Sequence, residues 1–100
     1  KPGFETPGFR EYRMALDNEK FNKLISCVEN LNRVIAVDES LGEGFCIGHS
    51  YFCNLQPDTI NDDWLYSVVE YELIPLLKEY WFDEPTKVKD WSENLRSAIK

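Results

Sequence analysis

Six apolar residues, Phe21, Leu24, Ile25, Val28, Leu31 and Ile35, recur on a three-and-four spacing. An α-helix turns once every 3.6 residues, so this spacing gathers all six on one stripe. A strand, whose side chains alternate, would scatter them over both faces. Asn22, Lys23, Glu29, Asn30 and Arg33 fall on the other helical faces. The pattern predicts a helix running to about Val37. Asp17 or Asn18 precedes it as the cap, with a side-chain oxygen accepting from a free N–H of the first turn. Such a stripe needs other elements to cover it.

The rest of the chain supplies them in helical form. Asn61, Asp62 or Asp63 stands where a cap is needed, and Trp64, Val68, Tyr71, Leu76, Leu77 and Tyr80 follow as apolar members of a second helix. Pro75 interrupts that pattern. It lacks an N–H and its ring clashes with the carbonyl of Tyr71, so a kink or break is expected near residues 72–74, with Pro75 opening the next segment. Asp83-Glu84-Pro85 reads as a capping residue, an acidic residue and a first-turn proline. Val88, Trp91, Leu95 and Ile99 then line one face of a final helix. Residues 9–16 and 50–55 have the look of two short helices, 38–44 and 56–61 of polar loops, and 45–47 of a short extended segment. The expectation is an all-α fold, a small bundle of four to five helices. The aromatic set Trp64, Tyr66, Tyr71, Tyr80, Trp81, Phe82 and Trp91 sits at helical spacing, which favours core packing over a ligand box.

A chain of 100 residues fits one domain. Its 43% apolar and 14% aromatic content supplies a core and argues against disorder. The formal net charge of −7 repels phosphate backbones, which disfavours direct nucleic-acid binding. There is no basic run for an anionic membrane, and no apolar run approaches the ~20 residues that a spanning helix requires. Three cysteines without a CxxC pair read as free thiols in a reducing cytosol, hence a cytoplasmic location. The chain opens on Lys1-Pro2-Gly3-Phe4, as if cut from a longer protein. Two Pro-Gly pairs, each followed by Phe, make residues 1–9 a turn-rich connector with apolar anchors.

Candidate chemistry concentrates between the first two long helices, around the single histidine, His49. Cys46, His49 and Cys53 have the residue types of a zinc site, but three ligands fall short of the four that a structural site uses. Buried thiols are the favoured reading, with no metal and no catalytic residue expected. A nucleophile–base pair would have only His49 with Ser50 or Cys46 to draw on. Glu70 and Glu72 are expected as surface groups, and no G-x-x-x-x-G-K-[ST] phosphate loop is present. Spacing alone leaves His49 open between a helix-cap or loop role and a contact to a ligand or another domain.

The segment Leu41-Gly42-x-Gly44-Phe45-x-Ile47-Gly48-His49-Ser50-Tyr51-Phe52 resembles a block near the C-terminus of McrB-type AAA+ ATPases, the GTP-dependent motors of 5-methylcytosine-specific restriction systems. The likeness continues through Glu72-Leu73-Ile74-Pro75-Leu76-Leu77-x-Glu79-Tyr80-Trp81-Phe82-Asp83 and reaches upstream to Phe4 and Phe9. The resemblance implies a AAA+ lid, with residues 1–9 the connector from an ATPase core and 10–100 the helical lid. It implies a parent that hydrolyses GTP or ATP with Mg, while the lid alone holds neither cofactor nor activity. Gly48, His49 and Ser50 would lie near the nucleotide, where many such lids carry an arginine, and Phe4 would belong to the hinge. Implied partners are the AAA+ core, neighbouring subunits of a ring, a hexamer in most of the family, and an McrC-like nuclease subunit. The competing reading is a stand-alone acidic helical protein-interaction domain.

Overall fold

The computed structural model describes residues 8–11, 18–48, 52 and 60–100. Helix α1 spans Glu19–Val37. Its cap is Asn18, in extended conformation, whose side-chain oxygen accepts from the Phe21 N–H at 2.8 Å. Glu19 adds a negative charge in the first turn, where the helix dipole favours it. All six residues of the apolar stripe are fully buried. Each such side chain contributes about 1.5–3 kcal/mol of burial.

The second helical run covers 62–80 in three pieces: α2, Asp62–Ser67, a π-helical segment, Val68–Leu73, and α3, Ile74–Tyr80. Asn61 is the cap, accepting from the Trp64 N–H at 2.9 Å. Pro75 lies in the first turn of α3. The disruption falls where its chemistry demands, but the chain does not break. The Ile74 N–H reaches back five residues to the Val69 carbonyl. One widened turn gives the ring of Pro75 room beside the preceding carbonyls and keeps the run helical.

Residues 81–84 reverse the chain. The Trp81 N–H donates to the Leu77 carbonyl and the Glu84 N–H to the Trp81 carbonyl, each at 2.9 Å. Helix α4, Pro85–Ala98, follows with Pro85 in its first turn. The expected capping side chain is missing: Glu84 holds the cap position without a capping bond, and its carboxylate pairs with Lys87 at 3.3 Å. Helix α4 packs against α1, α3 and the π segment. Leu95 and Ser92 are buried on it, with Val88, Trp91 and Ile99 half-buried. Arg96 grips Glu70 of the π segment with two parallel bonds, Nε to Oε2 at 2.6 Å and Nη2 to Oε1 at 3.0 Å. Glu70 is therefore a paired, largely covered group, whereas Glu72 is exposed.

The architecture is all-α, with no strand among the described residues. Residues 45–47 are not extended as a unit: Phe45 closes a 3₁₀ turn, Glu43–Phe45, and Cys46 leaves it at φ −59° and ψ 141°. A short apolar run carries no periodicity that separates these cases. The aromatic residues also divide more than expected. Trp81 is fully buried and Trp64, Tyr80 and Trp91 pack partly covered against the core. Tyr66 and Tyr71, on a helix face that no described element covers, are exposed, as is Phe82 in the turn after α3. Phe9, in a helical turn at 8–11, and Phe52 complete the core, with Phe52 edge-on to Phe21 at 6.0 Å. No described helix is long and apolar enough to cross a membrane.

Leu31 lies at the centre of the buried stripe with no accessible surface. Leu31→Ala should lower the unfolding free energy by about 2–5 kcal/mol through lost burial and the cavity left behind. Urea denaturation followed by circular dichroism measures this; a loss under about 0.5 kcal/mol would contradict the central position of α1.

Candidate functional site

The loop that leads to His49 starts from the end of α1 and is built by a run of short backbone bonds. The Ile35 carbonyl accepts from both the Asp38 N–H, at 3.2 Å, and the Gly42 N–H, at 3.1 Å. The Leu41 N–H donates to the Asp38 carbonyl at 3.2 Å. Gly42 has φ of 94°, a conformation that L side chains resist, so the turn requires glycine here. The 3₁₀ turn follows, with the Phe45 N–H on the Gly42 carbonyl and the Cys46 N–H on the Glu43 carbonyl, each at 3.1 Å.

Four side chains, Asn32, Cys46, Phe45 and Asp38, then anchor this loop to α1, to α3 and to the 81–87 corner. Asn32, on α1, faces Ile47 and satisfies both of its backbone groups: the Ile47 N–H donates to Oδ1 at 2.6 Å and Nδ2 donates to the Ile47 carbonyl at 2.9 Å. One amide thus serves as a one-residue strand partner. The Cys46 thiol donates to the Asn32 carbonyl at 3.5 Å. Phe45 stands edge-on to Tyr80 of α3, with ring centroids 5.4 Å apart. At the loop's origin the Asp38 carboxylate accepts from the Ser40 N–H at 2.8 Å, the Trp81 indole N–H at 2.9 Å and the Lys87 ammonium at 3.2 Å. The same ammonium lies 5.4 Å from the Trp81 ring centroid.

These contacts set the local electrostatics. The Trp81 and Ser40 hydrogen bonds, with Lys87 beside them, hold the Asp38 carboxyl below its ordinary range. Its hydrogen bond to Asp38 holds the Lys87 ammonium above its own. Arg96 holds Glu70 down in the same way. Burial pushes the Cys27 thiol up to about 11, so it stays protonated at neutral pH and offers no thiolate to a metal or an electrophile. Among the described residues no group of three or more His, Cys, Asp or Glu is arranged to hold a metal ion.

Of the residues singled out by sequence, Gly48 is half-buried at the end of the anchored loop, directly after Ile47. His49, Ser50 and Phe4 lie outside the described residues, as does Cys53. Asn32 and Asp38 went unnoticed in the sequence, and each left a signal. Asn32 adjoins Leu31 at the margin of the apolar stripe, where an amide can reach a neighbouring backbone. Asp38 immediately follows the helix, where the dipole opposes a carboxylate unless other donors hold it. Charge adds a further constraint: Lys and Arg are absent from 34–77, a stretch that includes Asp38, Glu39, Glu43, Asp58, Asp62, Asp63, Glu70 and Glu72.

Comparison with known proteins places this geometry in context. The family described as "McrB, alpha-helical lid domain" matches residues 23–89. The chain is also 39% identical, over 95% of its length, to the type IV methyl-directed restriction enzyme EcoKMcrB subunit of Escherichia coli K12. It spans 22% of that relative's length.

Removing the Asn32 amide leaves the Ile47 N–H and carbonyl without partners in a site with 1% exposure. Asn32→Ala should cost about 1–3 kcal/mol and speed amide exchange at Ile47 selectively. Native-state hydrogen exchange, with Leu24 as internal reference, tests this; unchanged protection of Ile47 would refute the clamp. The pH dependence follows from the lowered carboxyls. Asp38 and Glu70 have folded pKa values below those of the unfolded chain, near 4. Their stabilisation is complete above that pH and is lost as pH falls through the folded values. In urea titrations, the stability gap between wild type and Asp38→Asn should therefore shrink from pH 6 to pH 3. A constant or widening gap would contradict the assignment.

Proposed function

The chain belongs to the family of McrB alpha-helical lid domains, and from that premise we propose that it closes over a nucleotide bound by a larger AAA+ core of the same protein. In this reading the intact protein hydrolyses GTP or ATP with Mg, the lid passes nucleotide state between neighbouring subunits of a ring, and the assembly works with an McrC-like nuclease in methyl-directed DNA restriction. The observation that carries the proposal is the match over residues 23–89, which takes in most of α1, the anchored loop and the 62–80 run together. The connector role of residues 1–9, with Phe4 at a hinge, belongs to the same reading.

The site must be compatible with such a ligand, and its charge restricts how. With no Lys or Arg between 34 and 77 and exposed carboxylates at Glu39 and Glu43, this loop offers phosphates no counter-charge. His49 brings an imidazole, which lacks the permanent charge of a guanidinium. The residues present fit contact with the base or ribose, or with a neighbouring subunit, and leave the phosphates and Mg to the core. Gly48, His49 and Ser50 would make that contact from the end of a loop whose approach is held by Asn32, Tyr80 and Asp38. Bound nucleotide supplies the phosphoanhydride bond to be hydrolysed; the lid's own residues orient and enclose.

The test is His49→Ala in the intact protein. Loss of one neutral hydrogen bond should lower nucleotide turnover or raise KM by roughly 3- to 10-fold, with the circular dichroism spectrum unchanged. Unaltered kcat and KM would remove His49 from the site while leaving the family assignment in place.

A further inference from the structure

Between α3 and α4 runs an open groove of about 580 Å³, away from the anchored loop's Asn32 clamp. Trp81, Phe82, Pro85 and Val88 form its apolar wall. Three features of the groove have no role in the nucleotide reading. The Ser92 hydroxyl on its floor is fully buried and has no hydrogen-bond partner, a costly state that native proteins seldom keep without use. Phe82 at its mouth is 82% exposed. Lys78 and Lys89 stand on its rim, both exposed, outside the ion pairs that engage Lys20, Lys23, Lys87 and Arg96. Glu93 also borders the groove, and Arg96 is already committed to Glu70.

We propose that this groove docks an acidic polypeptide segment with an apolar anchor: Phe82, Pro85 and Val88 receive the anchor, Lys78 and Lys89 face its carboxylates, and Ser92 gives its hydroxyl to a polar atom of the segment. Charge complementarity decides the sign of the occupant. A chain of net charge −7 repels acidic partners over most of its surface; here Lys78, which also attracts Glu70, and Lys89 outnumber the single rim carboxylate of Glu93 beside an apolar wall and select for one. Shape decides its class. A small molecule is bound where 70–90% of its surface is enclosed, whereas this groove is open along its length and ends in an exposed ring. The inference goes beyond the nucleotide reading and does not rest on it.

The experiment titrates the full chain with a capped peptide alternating Asp and Glu with Leu and Phe, and with a control in which every acidic residue is Lys, following amide shifts by NMR. The acidic peptide should shift Val88, Ser92 and Lys89, and Lys78→Glu/Lys89→Glu should abolish the effect. Both lysines are exposed, so that variant keeps its fold. Ser92→Ala should weaken binding by roughly 2- to 10-fold while leaving the melting temperature unchanged or higher. Preference for the basic peptide, shifts caused equally by inorganic phosphate, no shift at millimolar peptide, or a lowered melting temperature in Ser92→Ala would each overturn the proposal.

Discussion

The Asp38 carboxylate stands just past the C-terminal end of α1, where the helix dipole opposes negative charge. It is held there by donors from three places: the Ser40 backbone, the Trp81 indole and the Lys87 ammonium. The rest of the fold hangs on this junction. Trp81 ends the 62–80 run, Lys87 lies in the first turn of α4, and both meet at the point where α1 hands the chain to the loop. The reversal at 81–84, the start of α4 and the origin of the His49 loop are therefore fixed against one another by one carboxylate. The Asp38 side chain is only 7% exposed, so water competes little for its oxygens, while the Lys87 side of the ion pair, 41% exposed, remains screened by solvent.

The widened turn at Val68–Leu73 serves the same junction from the other side. An ordinary break at Pro75 would free the second half of the helix to leave in a new direction. The π turn absorbs the proline within one continuous run instead, and the bidentate Arg96–Glu70 pair fastens that turn to α4. Trp81 then arrives, fully buried, where Asp38 can accept its N–H. The helix α4 that receives this arrangement leaves one side open, the groove walled by Phe82, Pro85 and Val88.

This framework bears on function by separating what is rigid from what remains to make contact. Residues 38–47 are tied to α1, α3 and the 81–87 corner, so movement of the lid as a body would carry Gly48 with it. The surface along that path is acidic, which suits a lid that encloses a nucleotide without holding its phosphates. On the proposed nucleotide reading, charge neutralisation would fall to the core, and orientation and enclosure to the lid.

Much of the fold was legible in the chain because its signals are local. The α1 stripe, the Asn18 and Asn61 caps and the disturbance at Pro75 each depend on residues within a turn or two of one another, and the 3.6-residue period alone ordered them. The glycines after α1 likewise marked a turn, and Gly42 takes it up with a positive φ. What stayed illegible spans distance: Asn32 and Ile47 are 15 positions apart, Asp38 and Trp81 are 43, and Asp38 and Lys87 are 49. Nothing in the local pattern told an extended 45–47 from a 3₁₀ turn, or an exposed Phe82 from a buried Trp81 beside it. Those outcomes follow from which helix faces are covered, and coverage is settled only when the helices pack.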